Sequence, residues 1–171
     1  MFITGRRGYE AIAGFAWAGH IKGGGFRGEV LYSNPRENYD YPEGYVNMSV
    51  SGDYTFTNSL YLQSAVLYNR RGTTGGAGGM ELINAFIRRD LSSARMSVYG
   101  QISKDLSPLV RFNLSGILNP YDHSWYFSPS ISWSVLTNLD FSGMGMVFGG
   151  DKETEFGDNS ELMMARFKWS F

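Results

Sequence analysis

The sequence predicts an all-β protein whose antiparallel strands follow one another in a meander. Apolar and polar residues alternate over many short stretches, and a period of two is typical of a strand with one apolar and one polar face. The alternation continues to the last residue, since Lys168 and Ser170 separate Phe167, Trp169 and Phe171. Short polar turns separate the stretches, as in β-hairpins. About nine strands are predicted within one domain, residues 1–171.

Four strands are predicted in the N-terminal part of the chain. In the first, Phe15 and Trp17 share one face, and in the third Val46, Met48 and Val50 share a face opposite small polar residues. Aromatic and β-branched side chains are favoured in strands. These four strands are predicted over residues 9–19, 26–32, 46–54 and 60–69.

A long connection, residues 69–92, follows the fourth strand. It begins rich in glycine and continues with Met80, Ile83 and Ile87 at helical spacing. This spacing predicts a short amphipathic helix over residues 80–88. We expect the helix either to cap an extracellular loop or to fold into the interior as a constriction.

Five strands are predicted after this connection. One of them alternates most cleanly, because Tyr126 and a series of serines separate Trp125, Phe127, Ile131 and Trp133. In the following strand, methionines at positions 144 and 146 interrupt the alternation and blur its two faces. These five strands are predicted over residues 94–103, 110–115, 125–135, 139–147 and 163–171.

Composition distinguishes between two kinds of barrel. Alternation fits a membrane barrel with apolar residues outside, and it also fits a soluble lipocalin-like barrel with apolar residues inside. Charged residues make up 18% of the chain and aromatic residues 16%, whereas soluble domains carry about 25% charged residues. The polar faces carry Ser, Asn, Gln and Tyr rather than the Lys and Glu of a soluble surface. No apolar run reaches the roughly 20 residues of a membrane helix. The sequence therefore predicts an antiparallel transmembrane β-barrel.

Aromatic residues collect near the strand ends, as in the two interfacial girdles of a membrane barrel. Trp17, Trp125, Trp133, Trp169 and Phe171 are the predicted membrane-interface residues. One rim is predicted to comprise Trp17, Tyr54, Phe56, Trp133, Phe141, Trp169 and Phe171, and the other Tyr9, Tyr32, Tyr45, Tyr68 and Trp125.

Short and long connections alternate along the chain. Outer-membrane barrels have short periplasmic turns and longer extracellular loops, so the pattern puts the C-terminus in the periplasm. Nine strands would then begin outside the cell, whereas bacterial barrels have an even strand count. We therefore expect a preceding strand that is absent or undetected, with residues 1–7 as its end, or a chain that is the C-terminal part of a larger barrel. The short connections are residues 20–25, 56–59, 104–108 and 136–138, and the long ones 33–44, 69–92, 119–123 and 149–161.

The strand that ends at Phe171 resembles the C-terminal strand of bacterial outer-membrane β-barrel proteins, and the turns resemble those of porin-like members with larger barrels. The resemblance implies a location in the outer membrane of a Gram-negative bacterium. It also implies contact with outer-membrane lipid and lipopolysaccharide, and recognition of the terminal strand by the barrel-assembly machinery. A homo-oligomer is one assembly it allows.

The resemblance implies a channel for passive diffusion of small polar or anionic solutes. Arg95 and Arg111 on neighbouring strands, with Arg166 and Lys168 on the last strand, would form a basic ladder that favours anions. The alternative is a small closed structural or adhesive barrel whose interior is filled by charge pairs. The predicted pore-lining residues are Arg27, Glu29, Asp53, Arg95, Tyr99, Arg111, Tyr126, Arg166 and Lys168.

No catalytic role is predicted, although some outer-membrane barrels are lipid-modifying enzymes. His123 precedes Ser124, but adjacent residues of a strand point to opposite faces and cannot pair. Outer-membrane lipid hydrolases place the serine two residues beyond the histidine, where this chain has Trp125. With no cysteine and a net charge of -1, we expect no thiolate metal site, no cofactor and no nucleic-acid partner. The acidic loop containing Asp151, Glu153, Glu155 and Asp158 is of a kind that can hold Ca²⁺ weakly, but we expect either a solvated surface loop or contact with the cations that bridge lipopolysaccharide.

Overall fold

The computed structural model describes residues 1–8, 10–35, 43–88, 90 and 92–171. This part of the chain forms ten strands and one helix. In chain order they are β1 (Phe2–Arg7), β2 (Glu10–Ile21), β3 (Gly24–Pro35), β4 (Tyr45–Thr55), β5 (Tyr61–Asn69), α1 (Gly79–Arg88), β6 (Met96–Ser107), β7 (Val110–Leu118), β8 (Trp125–Leu136), β9 (Leu139–Gly149) and β10 (Leu162–Trp169).

The strands form one antiparallel sheet in sequence order, so the predicted all-β meander is confirmed. The nine predicted strands correspond to β2–β10. β1 brings the count to ten and lies at residues 1–7, where the odd count led us to expect a preceding strand. The sequence hides β1 because its six residues include a central glycine and end in two arginines, which leaves little alternation. No strand in the described part of the chain pairs with the outer side of β1 or of β10.

The pairing register sorts the strand residues onto two faces. Phe15 lies opposite Val30, Val30 opposite Met48, and Met48 opposite Tyr68, so apolar residues share one face across neighbouring strands. We call this the apolar face and the other the polar face. Many large side chains of the apolar face are exposed, among them Phe2, Phe15, Phe26, Tyr32, Met48, Leu62, Ile102, Leu118, Phe127, Trp133, Phe167 and Trp169.

The polar face contains the more protected positions of the sheet. Glu10 of β2 accepts hydrogen bonds of 2.9 and 3.0 Å from the hydroxyl of Tyr45 on β4, although β3 lies between these strands. The sheet therefore curves toward its polar face in this region. Five polar residues that the register places on this face are buried: Ser33, Asn47, Asn69, Ser103 and Ser128. This distribution is the reverse of the usual one, in which apolar residues are inside.

Aromatic rings on the apolar face lie over glycines of the neighbouring strand. Trp125 is the direct partner of Gly149, and Phe127 is the partner of Gly116. A Cβ atom at Gly116 would lie 2.4 Å from Phe127 Cδ1, closer than atoms can approach. The ring thus packs directly on the strand backbone, a contact that also pins the register.

Connections differ between the two ends of the sheet. The short-turn end carries residues 22–23, 56–60, 108–109 and 137–138. The loop end carries the brief connection from β1 to β2 and the four longer connections. Register shifts between Asp105 and Ser107 and between Ser134 and Leu136 both lie at the short-turn end. Such bulges increase the local twist of a strand pair.

The glycines at positions 100 and 116 provide a test of the ring contact, because they are cross-strand partners on the apolar face. We expect Gly116→Val to lower the free energy of unfolding by about 1–3 kcal/mol, since the Phe127 ring must move. Gly100→Val is the matched control, because no atom lies within 4 Å of a Cβ at that position. Urea unfolding followed by tryptophan fluorescence measures both, and equal losses would contradict the proposed packing.

Candidate functional site

Most of the charged strand residues on the polar face collect at the short-turn end. Arg27 donates to Asp53 at 2.8 Å. Arg111 lies 3.6 Å from Asp105 in a pair that is largely exposed to solvent, so it adds little stability. This charged ring comprises Arg27, Asp53, Asp105, Arg111, Asp140, Arg166 and Lys168.

The basic ladder expected from Arg95 and Arg111 does not form. Arg111 lies opposite Asp105 at the short-turn end, whereas Arg95 precedes β6 at the loop end and donates to the carbonyl oxygen of Gly72 at 2.7 Å. The strand between them separates the two arginines by about 33 Å at 3.3 Å per residue. The sequence analysis failed here because neighbouring strands do not imply neighbouring positions along them. Arg111 instead shares a cross-strand row with Ser132, Ser142 and Arg166.

Neutral polar side chains cover the middle of the polar face. The Tyr99 hydroxyl donates to Gln101 Oε1 at 2.7 Å, and Gln101 Nε2 donates to Asn113 Oδ1 at 2.7 Å. Tyr126 lies on the same face and stacks on Phe148, with ring centroids 5.1 Å apart. Small side chains dominate β7 and β8 in this belt, namely Asn113, Ser115, Ser128 and Ser130.

A network of charges joins strands to loops at the loop end. Arg71 Nη1 lies 3.3 Å from Glu10 Oε1, and Arg71 Nε lies 3.3 Å from Asp90 Oδ1. Arg88, the last residue of α1, donates to Asp90 Oδ2 at 2.8 Å. The guanidinium of Arg71 also lies 4.6 Å from the ring centroid of Tyr45. Tyr45 therefore belongs to the polar face, and its prediction as a rim residue of the apolar face is wrong.

Asp122 is the central hydrogen-bond acceptor of the loop end. Its carboxylate accepts bonds from the backbone amides of Ala77, Ser124 and Glu155 at 3.2, 3.0 and 2.8 Å, and from the Ser124 hydroxyl at 2.6 Å. Burial alone would raise the pKa of Asp122, but these bonds outweigh burial, and the pKa lies below its ordinary value. The Asp122 carboxylate thus connects the loops that contain Ala77, Ser124 and Glu155 by hydrogen bonds.

Glu155 lies beside Asp122 and has the opposite electrostatic behaviour. Burial, and then the charge of Asp122, raise the pKa of Glu155 above its ordinary value. Bonds from Asn119 Nδ2 at 3.2 Å and from the Ser92 hydroxyl at 3.4 Å oppose that rise. The expectation of a wholly solvated acidic loop is therefore wrong for Glu155. We call Ser92, Asn119, Asp122, Ser124 and Glu155 the loop cluster.

The glycines before α1 allow two loops to meet backbone to backbone. A Cβ at Gly78 would lie 2.2 Å from the carbonyl oxygen of Thr154, and one at Gly76 would lie 2.6 Å from that of Glu153. The Gly78 amide donates to the Glu153 carbonyl at 3.0 Å. The sequence shows these glycines but not the loop that they contact.

Helix α1 lies where the sequence predicts a helix, within the connection between β5 and β6. No Cα atom of α1 lies within 8 Å of a Cα atom in any described strand, so the helix does not line the strand wall. Ala85 is its buried residue. Its large apolar side chains, Met80, Leu82, Ile83, Phe86 and Ile87, are exposed.

The predicted interface tryptophans lie on the apolar face. Trp17, Trp133 and Trp169 are near the short-turn end, and Trp125 is near the loop end. Phe171 follows β10 and is fully exposed. Tyr9 lies outside the described residues.

The residues considered for hydrolysis are held in a turn. The buried Ser124 donates its hydroxyl hydrogen bond to Asp122, and His123 has a positive φ of 59°. Among the described residues, no group of three or more His, Cys, Asp or Glu side chains is arranged to hold a metal ion.

Comparison with known proteins adds no assignment: no family model, curated protein or solved structure matches the chain. In the described part of the chain, no helix is long and apolar enough to cross a membrane.

Replacing the two loop-cluster acids should have opposite effects. The raised pKa of Glu155 gives stability that is full below its ordinary pKa and is lost as pH rises through the folded value. Glu155→Gln should therefore increase amide protection in the loops at neutral pH and flatten its decline above the ordinary pKa of 4.5. Glu153→Gln, in an exposed position of the same loop, is the control. Hydrogen exchange of the Ala77 and Glu155 amides gives the readout.

Asp122→Asn should lower the hydrogen-exchange protection of the same amides. The Asn side chain has an NH₂ group in place of one of the accepting oxygens. The loss of these bonds costs about 1–3 kcal/mol, which is a decrease in protection of about tenfold or more. The lowered pKa of Asp122 gives stability that is present above its ordinary value of 3.8 and is lost as pH falls through the folded value. Protection that is unchanged in Asp122→Asn would exclude its central role.

Proposed function

We propose that the chain is a transmembrane β-barrel of the bacterial outer membrane that allows small polar solutes to diffuse passively, with a mild preference for anions. The main observation behind this proposal is that the sheet reverses the usual distribution of apolar and polar residues. Its exposed face is apolar, and its protected, curving face is polar. In a membrane barrel the apolar face contacts lipid and the polar face lines an aqueous interior.

Strand number and direction support closure of the barrel by its own edges. An antiparallel meander of ten strands has first and last strands that run in opposite directions, so β1 and β10 can pair as antiparallel neighbours. Bacterial single-chain barrels likewise have even strand counts. The alternative, in which this chain is the C-terminal part of a larger barrel, would place further strands against these edges.

Strand length and aromatic placement support a bilayer location. The eight strands from β2 to β9 have 9 to 12 residues, and about 9–11 residues cross a bilayer when tilted near 45°. Trp17, Trp133 and Trp169 would form one interfacial girdle, and Trp125 and Tyr32 would belong to the other. The short-turn end would then face the periplasm.

The polar face supports a small aqueous passage rather than a specific binding site. The short serine side chains of β8 fill less of the interior than long side chains would. In the charged ring, Arg27 and Arg111 are each beside an aspartate. Arg166 and Lys168 remain, with Asp140 in register opposite Lys168. This small excess of positive charge favours anions.

A closed structural barrel is the second candidate. The ion pairs of the polar face and the loop cluster favour it, because both fill space at the ends of the sheet. Eight strands leave an interior just filled by side chains, and ten strands leave only slightly more.

Conductance separates these candidates. We expect the purified full chain, refolded and added to a planar bilayer, to produce steps of ionic current in potassium chloride. A heat-denatured sample is the control. Recovery of the native protein in the soluble fraction would contradict the membrane location. Membrane insertion without current would favour the structural barrel.

Charge selectivity should depend on the last strand. We expect the double variant Arg166→Gln and Lys168→Gln to shift the reversal potential in a salt gradient toward cation preference, because both side chains lie on the polar face. Lys104→Gln removes one positive charge from the apolar face of β6 and should leave the potential unchanged, whereas Arg166→Gln and Lys168→Gln should each shift it alone. Equal shifts in Lys104→Gln and in the double variant would contradict the assignment of the lumen.

A further inference from the structure

At the free edge formed by β9 and β10, the side chains on the polar face are apolar. Met146 lies opposite Leu162, and Met144 lies opposite Met164. The register places all four side chains on the polar face, together with Arg166. The methionines that blur the alternation of β9 in the sequence therefore mark a local apolar strip inside the sheet. The sequence lacks the signal that assigns them, because Met163 and Met164 are adjacent and only one of them can point inward.

The opposite edge carries a second apolar strip on the same face. Ile3 of β1 lies opposite Gly14, and Gly14 lies opposite Leu31. Leu31 covers this glycine, since a Cβ there would lie 3.1 Å from Leu31 Cδ1. Ile12 continues the strip opposite Gly5.

Both strips lie in the half of the sheet nearer the loop end. If β1 pairs with β10, as the proposed function requires, the strips become neighbours and form one apolar track in an otherwise polar lumen. Leu162 is 46% exposed and Met164 56% exposed, as part of an edge strand that is exposed throughout. Methionine adapts its shape to different apolar partners.

The track ends at two basic side chains. Arg166 and Lys168 follow Met164 at alternate positions of β10, on the same face. Among the described residues, no ion pair involves either of them. Asp140, in register with Lys168, accepts a hydrogen bond of 2.8 Å from Ser134. The distance from Leu162 to Arg166 is about 13 Å at 3.3 Å per residue, on the scale of a medium-length alkyl chain.

We propose that this track binds anionic amphiphiles, with the alkyl chain against Met144, Met146, Leu162 and Met164 and the carboxylate at Arg166 and Lys168. This inference rests on the proposed barrel and names a ligand class for its lumen. Charge complementarity selects an anion at the basic end, and the apolar strip selects a chain rather than a compact polar solute. An apolar strip that stayed exposed to water would be unfavourable, so a ligand that covers it is expected.

Decanoate is the probe, with acetate as the anion lacking the chain and decanol as the chain lacking the charge. In nanodiscs that contain the full chain, we expect saturable decanoate binding by calorimetry, above the signal of empty nanodiscs. Acetate should show no binding. Met164→Gln keeps the side-chain length but adds a polar amide, and it should weaken decanoate binding about tenfold. Met163→Gln, the next residue on the apolar face, is the matched control and should bind as the wild type does.

The basic end is tested separately. Arg166→Gln should weaken decanoate binding but leave decanol binding unchanged, since only the carboxylate contacts the guanidinium. Equal binding of decanoate by Met163→Gln and Met164→Gln, or no binding above empty nanodiscs, would overturn the proposal.

Measuring the current across a planar bilayer separates the test of the ligand site from the test of the channel. Current that decanoate does not reduce would overturn the ligand site and leave the channel intact. Saturable binding without any current would remove the channel and support the site within a closed barrel.

Discussion

The pairing register is the constraint on which the rest of the structure depends. Because side chains alternate with a period of two, a slip of one residue in any hairpin would move an entire strand's apolar set to the polar face. The bulges near Asp105 and Ser134 are confined to the short-turn end, where few residues follow them before the turn. Rings such as Phe127 over Gly116 restrict slippage further, since only glycine leaves space for the ring.

The loop end is organised by a different interaction, the sharing of one carboxylate among several backbone amides. Asp122 accepts bonds from three segments, and Glu155 is partly buried beside it as a consequence. Burial raises the pKa of Glu155 most, and the nearby charge of Asp122 raises it further. The glycines at positions 76 and 78 allow the close approach, so the loop order comes from backbone contacts more than from apolar burial.

Strand positions could be read from the sequence because alternation is a local property, and β2–β10 all carry it. β1 shows no such alternation, since FITGRR is short and polar at its end, and only the odd strand count pointed to a strand at residues 1–7. The burial of Glu155 was also hidden, because an acidic loop looks solvated unless its partner, Asp122, is known to lie nearby. Arg95 was misplaced for a related reason: strand adjacency does not give the height of a residue along the sheet. The face of Met164 required the register itself.

Exposing the apolar face to water is energetically unfavourable, so the stability of this protein depends on what covers that face. Roughly a dozen large side chains on that face are about half exposed, and covering each would contribute roughly 1 kcal/mol at 25 cal/mol per Å². The total is comparable with the whole stability of a typical domain, about 5–15 kcal/mol. Single exposed apolar residues are normal on soluble proteins, but a continuous face of this kind is not. The proposed membrane location would cover this face with hydrocarbon, and the aromatic side chains near both strand ends are of the kind that favours the boundary of a hydrocarbon phase.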